Sequence, residues 1–154
     1  MTAISDYLES GLLNHLFRGE TFNKPSGIAL ALTTTVPDDS DTGSSISEVP
    51  SGINGSGTGY FRYNLSNPAT SGNTVWDHLA ADIAAGSGVI KNGQQIVFGT
   101  ALVDWGWVSG IAVLDTDTYG SGNMLLSSQL DQPRVVYMGD GLKYNTGNLQ
   151  IELK

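Results

Sequence analysis

The side chains best equipped for chemistry in this sequence are its two histidines and two short acidic runs. His15 falls in SDYLESGLLNHLFRG and His78 stands beside Trp76 in VWDHLA. Neither has a serine nucleophile in a strand–turn–helix elbow to serve, because GSG at 86–88 and GSGTG at 55–59 lack that context. The plain reading of His15 is a solvated or hydrogen-bonded ring beside a helix stripe. PDDSDTG at 37–43 gathers Asp38, Asp39 and Asp41. A hard cation would suit them, and a solvated acidic loop suits them better. DTDTYG at 115–120 has Asp at the first and third positions of a calcium loop and Gly at the sixth, but Tyr119 and Leu126 replace its fifth and twelfth ligands. An Asx-rich hairpin turn accounts for that run. Cysteine is absent, so thiolate metal sites and cysteine nucleophiles are excluded, and two isolated histidines do not make a zinc site. The glycines of GINGSGTG precede neither a Lys-Ser/Thr pair nor a helix, which excludes a phosphate loop. Paired carboxylates for glycoside cleavage have no spacing in their favour. The expectation is a protein that is not an enzyme and carries no cofactor or metal.

The elements that would position these residues read as mostly β. Among 154 residues, 20 are glycine and only 14% are charged, a balance that suits many turns and short strands. One helix stands out over 5–17, with Ser5 as its cap, Asp6 at its positive end and Gly19 as its stop. Leu8, Leu12 and Leu16, joined by Leu13 and Phe17, form a broad apolar stripe that predicts burial against a partner surface. Strands are predicted over 27–34, 60–65, 95–98, 105–114, 124–130, 134–138 and 149–153, while 75–90 is ambiguous between helix and loop. In DWGWVSGIAVLD, strict alternation puts Trp105 and Trp107 on one face with Ile111 and Val113, filling the core between sheet and helix. The fold class is therefore mainly β, an antiparallel β-sandwich or partly open barrel with one N-terminal α-helix, in a single domain over 1–154. Residues 37–59 form a connection far longer than usual, rich in Gly, Ser and Asp. They are expected to pack little on themselves and to make the main contacts.

Charge narrows the partners. The net charge is −8 with a pI near 4.3, and the seven basic residues are scattered, so nucleic acid is not an expected partner. No run approaches the ~20 apolar residues of a membrane helix, and no basic residue precedes Arg18. A soluble chain without membrane or signal segment is expected.

Read in order, SDYLESGLLNHLFR, GIALALTTTVPDDSDTG, EVPSGINGSGTGYFRY, IVFGTALVDWGWVSGIAVLD, GNMLLSSQL and GDGLKYNTGNLQIEL resemble a family of small bacteriophage structural proteins. The likeness spans nearly the whole chain, from a helix of the SDYLE-x-x-LLNHVFR kind to a closing glycine-rich hairpin. Such proteins are known as tail fibre proteins, and related ones decorate capsids as cement. The resemblance implies a non-enzymatic virion protein made in the host cytoplasm. The leading expectation is a capsid decoration protein, a homo-oligomer that binds the major capsid protein and stabilises the shell. The alternatives are a tail fibre or baseplate component and, from another class, a carbohydrate-binding β-sandwich using Trp76. Stacking on sugars needs exposed tryptophans, whereas the pattern predicts buried ones. The chain departs from the family by a longer insert between Glu48 and Tyr60 and by extra residues at 75–90. Candidate interface residues are Asp38, Asp39, Asp41, Glu48, Ile53, Asn54, Tyr60, Trp76, Trp105 and Trp107.

Overall fold

Leucine and alanine alternate in ALALT, and that alternation orients the centre of the molecule. The computed structural model describes residues 2–49, 57–65 and 88–152. In it, β2 (Ala29–Thr33) is buried along its whole length. Leu30 and Leu32 enter the larger core cluster, while Ala31 joins a smaller one on the other face with Ile46, Ala112, Leu114 and Met124. Large residues on one side and small ones on the other let the sheet be covered on both faces.

The strands around β2 are β1 (Thr2–Ile4), β3 (Tyr63–Asn64), β6 (Gly106–Leu114) and β7 (Met124–Val136). They form a five-stranded sheet in the order β1-β7-β6-β2-β3, with every pair antiparallel. Two small ribbons pair β4 (Val89–Lys91) with β9 (Gln150–Glu152) and β5 (Ile96–Thr100) with β8 (Gly141–Tyr144). Ile96, Phe98 and Leu142 from the second ribbon meet Leu30, Leu32, Val108 and Ile111 of the large sheet in one core. The fold is mainly β and antiparallel with one helix near the N-terminus, and the described strands close no barrel.

Two strands, β1 and β4, are not legible in the sequence, and two predicted ones merge. The expected closing hairpin supplies β8 and β9, but these pair with β5 and β4 and not with each other. Residues 124–130 and 134–138 belong largely to the single strand β7. Its register against β6 jumps from Arg134 opposite Val108 to Gln129 opposite Gly110. Pro133 lies in that irregular stretch, where the ladder makes no demand on its missing N–H.

The tryptophan strand corrects the alternation argument. Trp105 is fully buried, yet Trp107 is 51% exposed. Gly106 between them has φ +80°, a left-handed conformation that suits glycine, and it breaks the alternation. Val108 therefore takes the inward place, and the irregularity between Val108 and Gly110 restores the phase so that Ile111 and Val113 also point to the core.

The helix α1 (Asp6–Phe17) forms where expected, but none of its residues is buried. Ser5, itself buried, bolts it to the sheet. Its amide donates to the Leu125 carbonyl at 3.1 Å, its hydroxyl donates to the Met124 carbonyl, and its Oγ accepts the Leu8 amide at 3.2 Å. Only Leu8 of the predicted stripe packs against the core, and Leu12, Leu13, Leu16 and Phe17 are exposed. Returning chain lies on the opposite side, where the Phe22 ring covers Gly11 and sits 6.0 Å from the Tyr7 ring. The stripe is real, but this chain's own sheet does not cover it.

Candidate functional site

Among the described residues a buried ion pair joins Glu48 to Arg62, and it ties the loop after β2 to the loop after β6. Alternation along YFRYNL turns Tyr60 and Arg62 inward and leaves Phe61 exposed. Arg62 is 3% exposed. Its Nε donates to Glu48 Oε1 at 2.9 Å and its Nη2 to Glu48 Oε2 at 2.8 Å, a two-pronged pairing that guanidinium geometry favours. The remaining donors reach four backbone carbonyls. Nη1 bonds Thr116, Thr118 and Ser121 at 3.2, 2.7 and 2.8 Å, and Nη2 bonds Gly43 at 3.0 Å. The Tyr60 hydroxyl completes the cluster, donating to Glu48 Oε1 at 2.8 Å and accepting the Leu32 amide at 3.0 Å.

Arg62 thus ties together β3, the loop after β2 and the loop after β6. Those two loops also touch directly, since the Gly43 amide donates to the Gly122 carbonyl at 2.9 Å. A Cβ on Gly43 would collide with the Ser121 carbonyl, so this approach requires glycine. The calcium-like run at 115–120 is accounted for here. Its carbonyls face the guanidinium, and the Asp115 carboxylate accepts both the Asn123 amide and its side-chain Nδ2 at 2.8 Å.

The acidic run at 37–43 is likewise used in turns. The Asp38 amide donates to Asp41 Oδ2 at 2.9 Å, the Asp39 amide to Asp38 Oδ1 at 3.1 Å, and Ser45 Oγ to Asp41 Oδ1 at 2.7 Å. The Asp38 carboxyl lies above its ordinary range, chiefly through a side-chain hydrogen bond with Asp39, with repulsion from Asp39 and Asp41 adding to it. Among the described residues no cluster of three His, Cys, Asp or Glu is placed to hold a metal. His15 is exposed, with Nδ1 2.9 Å from the Glu20 carbonyl and 3.4 Å from the Phe22 amide, where it holds the returning chain.

Of the sequence-predicted interface residues, Glu48 and Tyr60 are brought together in the interior around Arg62, and Trp105 packs on Tyr60 edge to face at 5.5 Å. Partner contacts would have to come from other residues. Trp105 also donates from Nε1 to the Thr58 carbonyl at 2.8 Å. Asp38, Asp39 and Trp107 lie at the surface, and Asp41 is half-buried. Ile53, Asn54, Trp76 and His78 lie outside the described residues, as do most of the insert between Glu48 and Tyr60 and nearly all of 75–90. The loop from residue 37 packs on the domain more than its composition suggests. Ile46 and Val49 are buried, and Thr33 bridges to Glu48. Sequence reasoning missed Arg62. The available signal was a lone cation on the inward face of an otherwise apolar strand.

The same substitution should act oppositely on two tyrosines. Tyr60→Phe leaves the Leu32 amide and a Glu48 lone pair unsatisfied and should cost about 1–3 kcal/mol. Tyr144 has a buried hydroxyl with no hydrogen-bond partner among the described residues, so Tyr144→Phe should be neutral or stabilise by about 1 kcal/mol. Burial pushes the Tyr144 hydroxyl up to about 12. Burial first, and then the Glu48 charge, raise Tyr60 well above its ordinary value. The folded state therefore keeps protons that the unfolded chain loses above pH ~10, and stability should fall as pH rises from about 10 to 12. Thermal melts across that window check the sign, and the fall should be shallower in Tyr144→Phe.

Among the described residues, two groups of exposed apolar side chains stand out. One is α1, through Leu12, Leu13, Leu16 and Phe17. The other is a tip formed by Leu102, Val103, Trp107, Tyr137 and Met138. Hydrogen bonds and strand pairing hold this tip together. The Met138 amide donates to Asp104 Oδ1 at 2.8 Å, the Gly139 amide to the Ala101 carbonyl at 2.7 Å, and Trp107 pairs in register with Val135. A cleft of about 600 Å³ beside β3 is lined by Phe61, Tyr63, Asn64, Asp117 and Tyr119, among others. Asn64 Nδ2 bonds Asp117 Oδ2 across it at 2.8 Å. No helix among the described residues is long and apolar enough to cross a membrane.

A β-rich module that uses its buried charges to lock loops, and leaves apolar faces outward, has the character of a structural protein. Over residues 3–152 the chain matches the family model described as podophage GP4 fiber I protein gp80, and it belongs to that family. No curated protein matches the chain.

Proposed function

We propose that the chain is a non-enzymatic subunit of a podophage fibre, held in the virion by contacts between its exposed apolar surfaces and neighbouring subunits, copies of itself included. The family description supports a fibre over the capsid-decoration role that the resemblance alone put first. The carrying observation is the contrast between a core with a paired ion cluster and two apolar patches left on the outside. Scattered exposed apolar residues are ordinary, but contiguous groups of four or five mark contact surfaces. The expected interface role of Trp107 stays with the tip, and that of Asp38, Asp39 and Asp41 with the rim of the acidic loop.

The tip supplies the test. Replacing Trp107 and Tyr137 with serine removes side chains that are 51% and 59% exposed, so the protein should stay folded with its melting temperature lowered by about 5–10 °C. Phage assembled with this variant should carry markedly less of it than of the wild-type protein, read by quantitative mass spectrometry of purified particles. Wild-type levels in the particle would remove the tip from the assembly surface.

A further inference from the structure

We infer that the cleft beside β3 binds a neutral saccharide. This goes beyond the assembly role and does not depend on it.

The cleft, of about 600 Å³, presents two kinds of surface. Phe61, Tyr63 and Tyr119 supply rings, Phe61 being 48% exposed and the other two half-buried. Asn64, Asp117 and Thr118 supply polar groups, and all three are exposed. Apolar walls with a few placed polar side chains, at this volume, define a small-ligand site.

The chemistry of these groups narrows the ligand. A sugar ring shows C–H groups on its faces and hydroxyls around its edge, so it needs an aromatic platform beside planar hydrogen-bonding groups. Asn64 Nδ2 donates to Asp117 Oδ2 at 2.8 Å, which sets a carboxamide and a carboxylate side by side. Asp117 Oδ1 accepts no hydrogen bond among the described residues and is open to a ligand hydroxyl. Charge selects against an anion. Arg62 is the cation in the lining, and Glu48 neutralises it from the buried side, so Asp117 leaves the cleft negative. Ring placement selects against a cation, which needs aromatic faces gathered around it as a cage. Phe61, Tyr63 and Tyr119 form no ring pair with one another, so they stand apart as a platform.

The site is held in place before any ligand arrives. Arg62 Nη1 bonds the Thr116, Thr118 and Ser121 carbonyls, which pins the loop that carries Asp117 and Thr118. The Tyr63 ring lies 6.2 Å from that of Phe98, and Tyr119 also rests on the core. Walls that need no ordering on binding spare the affinity that ordering would consume. Trp76 lies outside the described residues and has no part in this site.

Saturation-transfer NMR of the full chain with maltotriose, mannotriose, galactotriose and chitotriose tests the inference, with trigalacturonate as the acidic comparison. At least one neutral trisaccharide should bind with a Kd on the order of 1 mM or tighter, and Phe61→Ala and Asp117→Ala should each weaken it about 10-fold or more. Asp117 is exposed, so its variant decides the matter even if Phe61→Ala loosens the fold. No binding of any neutral trisaccharide, equal binding of trigalacturonate, or binding that survives both substitutions overturns the inference. Counting the same variants in particles separates it from the assembly role. Asp117→Ala should enter particles at the wild-type level, and the Trp107→Ser/Tyr137→Ser variant should bind the trisaccharide as the wild type does. An Asp117→Ala protein that keeps its sugar binding but fails to incorporate makes the cleft an assembly surface and discards the saccharide.

Discussion

Exchanging Arg62 for methionine is expected to lower the melting temperature by ~10 °C or more. Removing the guanidinium strands the Glu48 carboxylate in the interior and leaves the carbonyls of Gly43, Thr116, Thr118 and Ser121 without their donor. Breaking a buried pair from one side typically costs about 3–5 kcal/mol, because the remaining charge stays desolvated. Arg62→Lys should recover little, since one ammonium cannot span a carboxylate and carbonyls from two loops. The double variant Arg62→Met/Glu48→Leu should recover part of the loss, because no charge is then left buried. Thermal denaturation followed by circular dichroism decides the matter. An Arg62→Met protein that melts with the wild type would show that the loops are held by something else.

The second large effect is on assembly. Leu16→Ser with Phe17→Ser should leave the melting temperature within about 2 °C of wild type, because both side chains are mostly exposed. Incorporation into particles should nevertheless fall on the order of 10-fold or more, since the lost apolar contact area is needed only between subunits. A helix packed on its own sheet would behave in the reverse way, with stability lost first. Mass-spectrometric counting of variant and wild-type protein in the same phage preparation gives the comparison. Undiminished incorporation would return α1 to the status of an ornament of the fold.

The same helix shows what the sequence could and could not reveal. Its ends were legible from Ser5 and Gly19, because capping is local chemistry. Its apolar stripe was legible too, but a stripe does not say whether the covering surface belongs to the same chain. In the tryptophan strand, alternation held for Ile111 and Val113 and failed at Trp107. A left-handed glycine and an irregular register are set by the partner strand, which no local pattern contains. The Glu48–Arg62 pair spans 14 residues of sequence across a glycine-rich insert, and only the sheet brings its members together. Asp38, Asp39 and Asp41 stand out in the sequence by their charge, while their role in closing turns depends on backbone amides and the Ser45 hydroxyl, which composition does not report.

Locating the protein on the phage particle tests the central claim most directly. A short epitope tag at the C-terminus, detected by gold-labelled antibody on intact particles in the electron microscope, is sufficient. A fibre subunit predicts label confined to the tail and its fibres, lost in phage carrying the Leu16→Ser/Phe17→Ser variant. Label spread over the faces of the head would contradict the account and restore capsid decoration as the function.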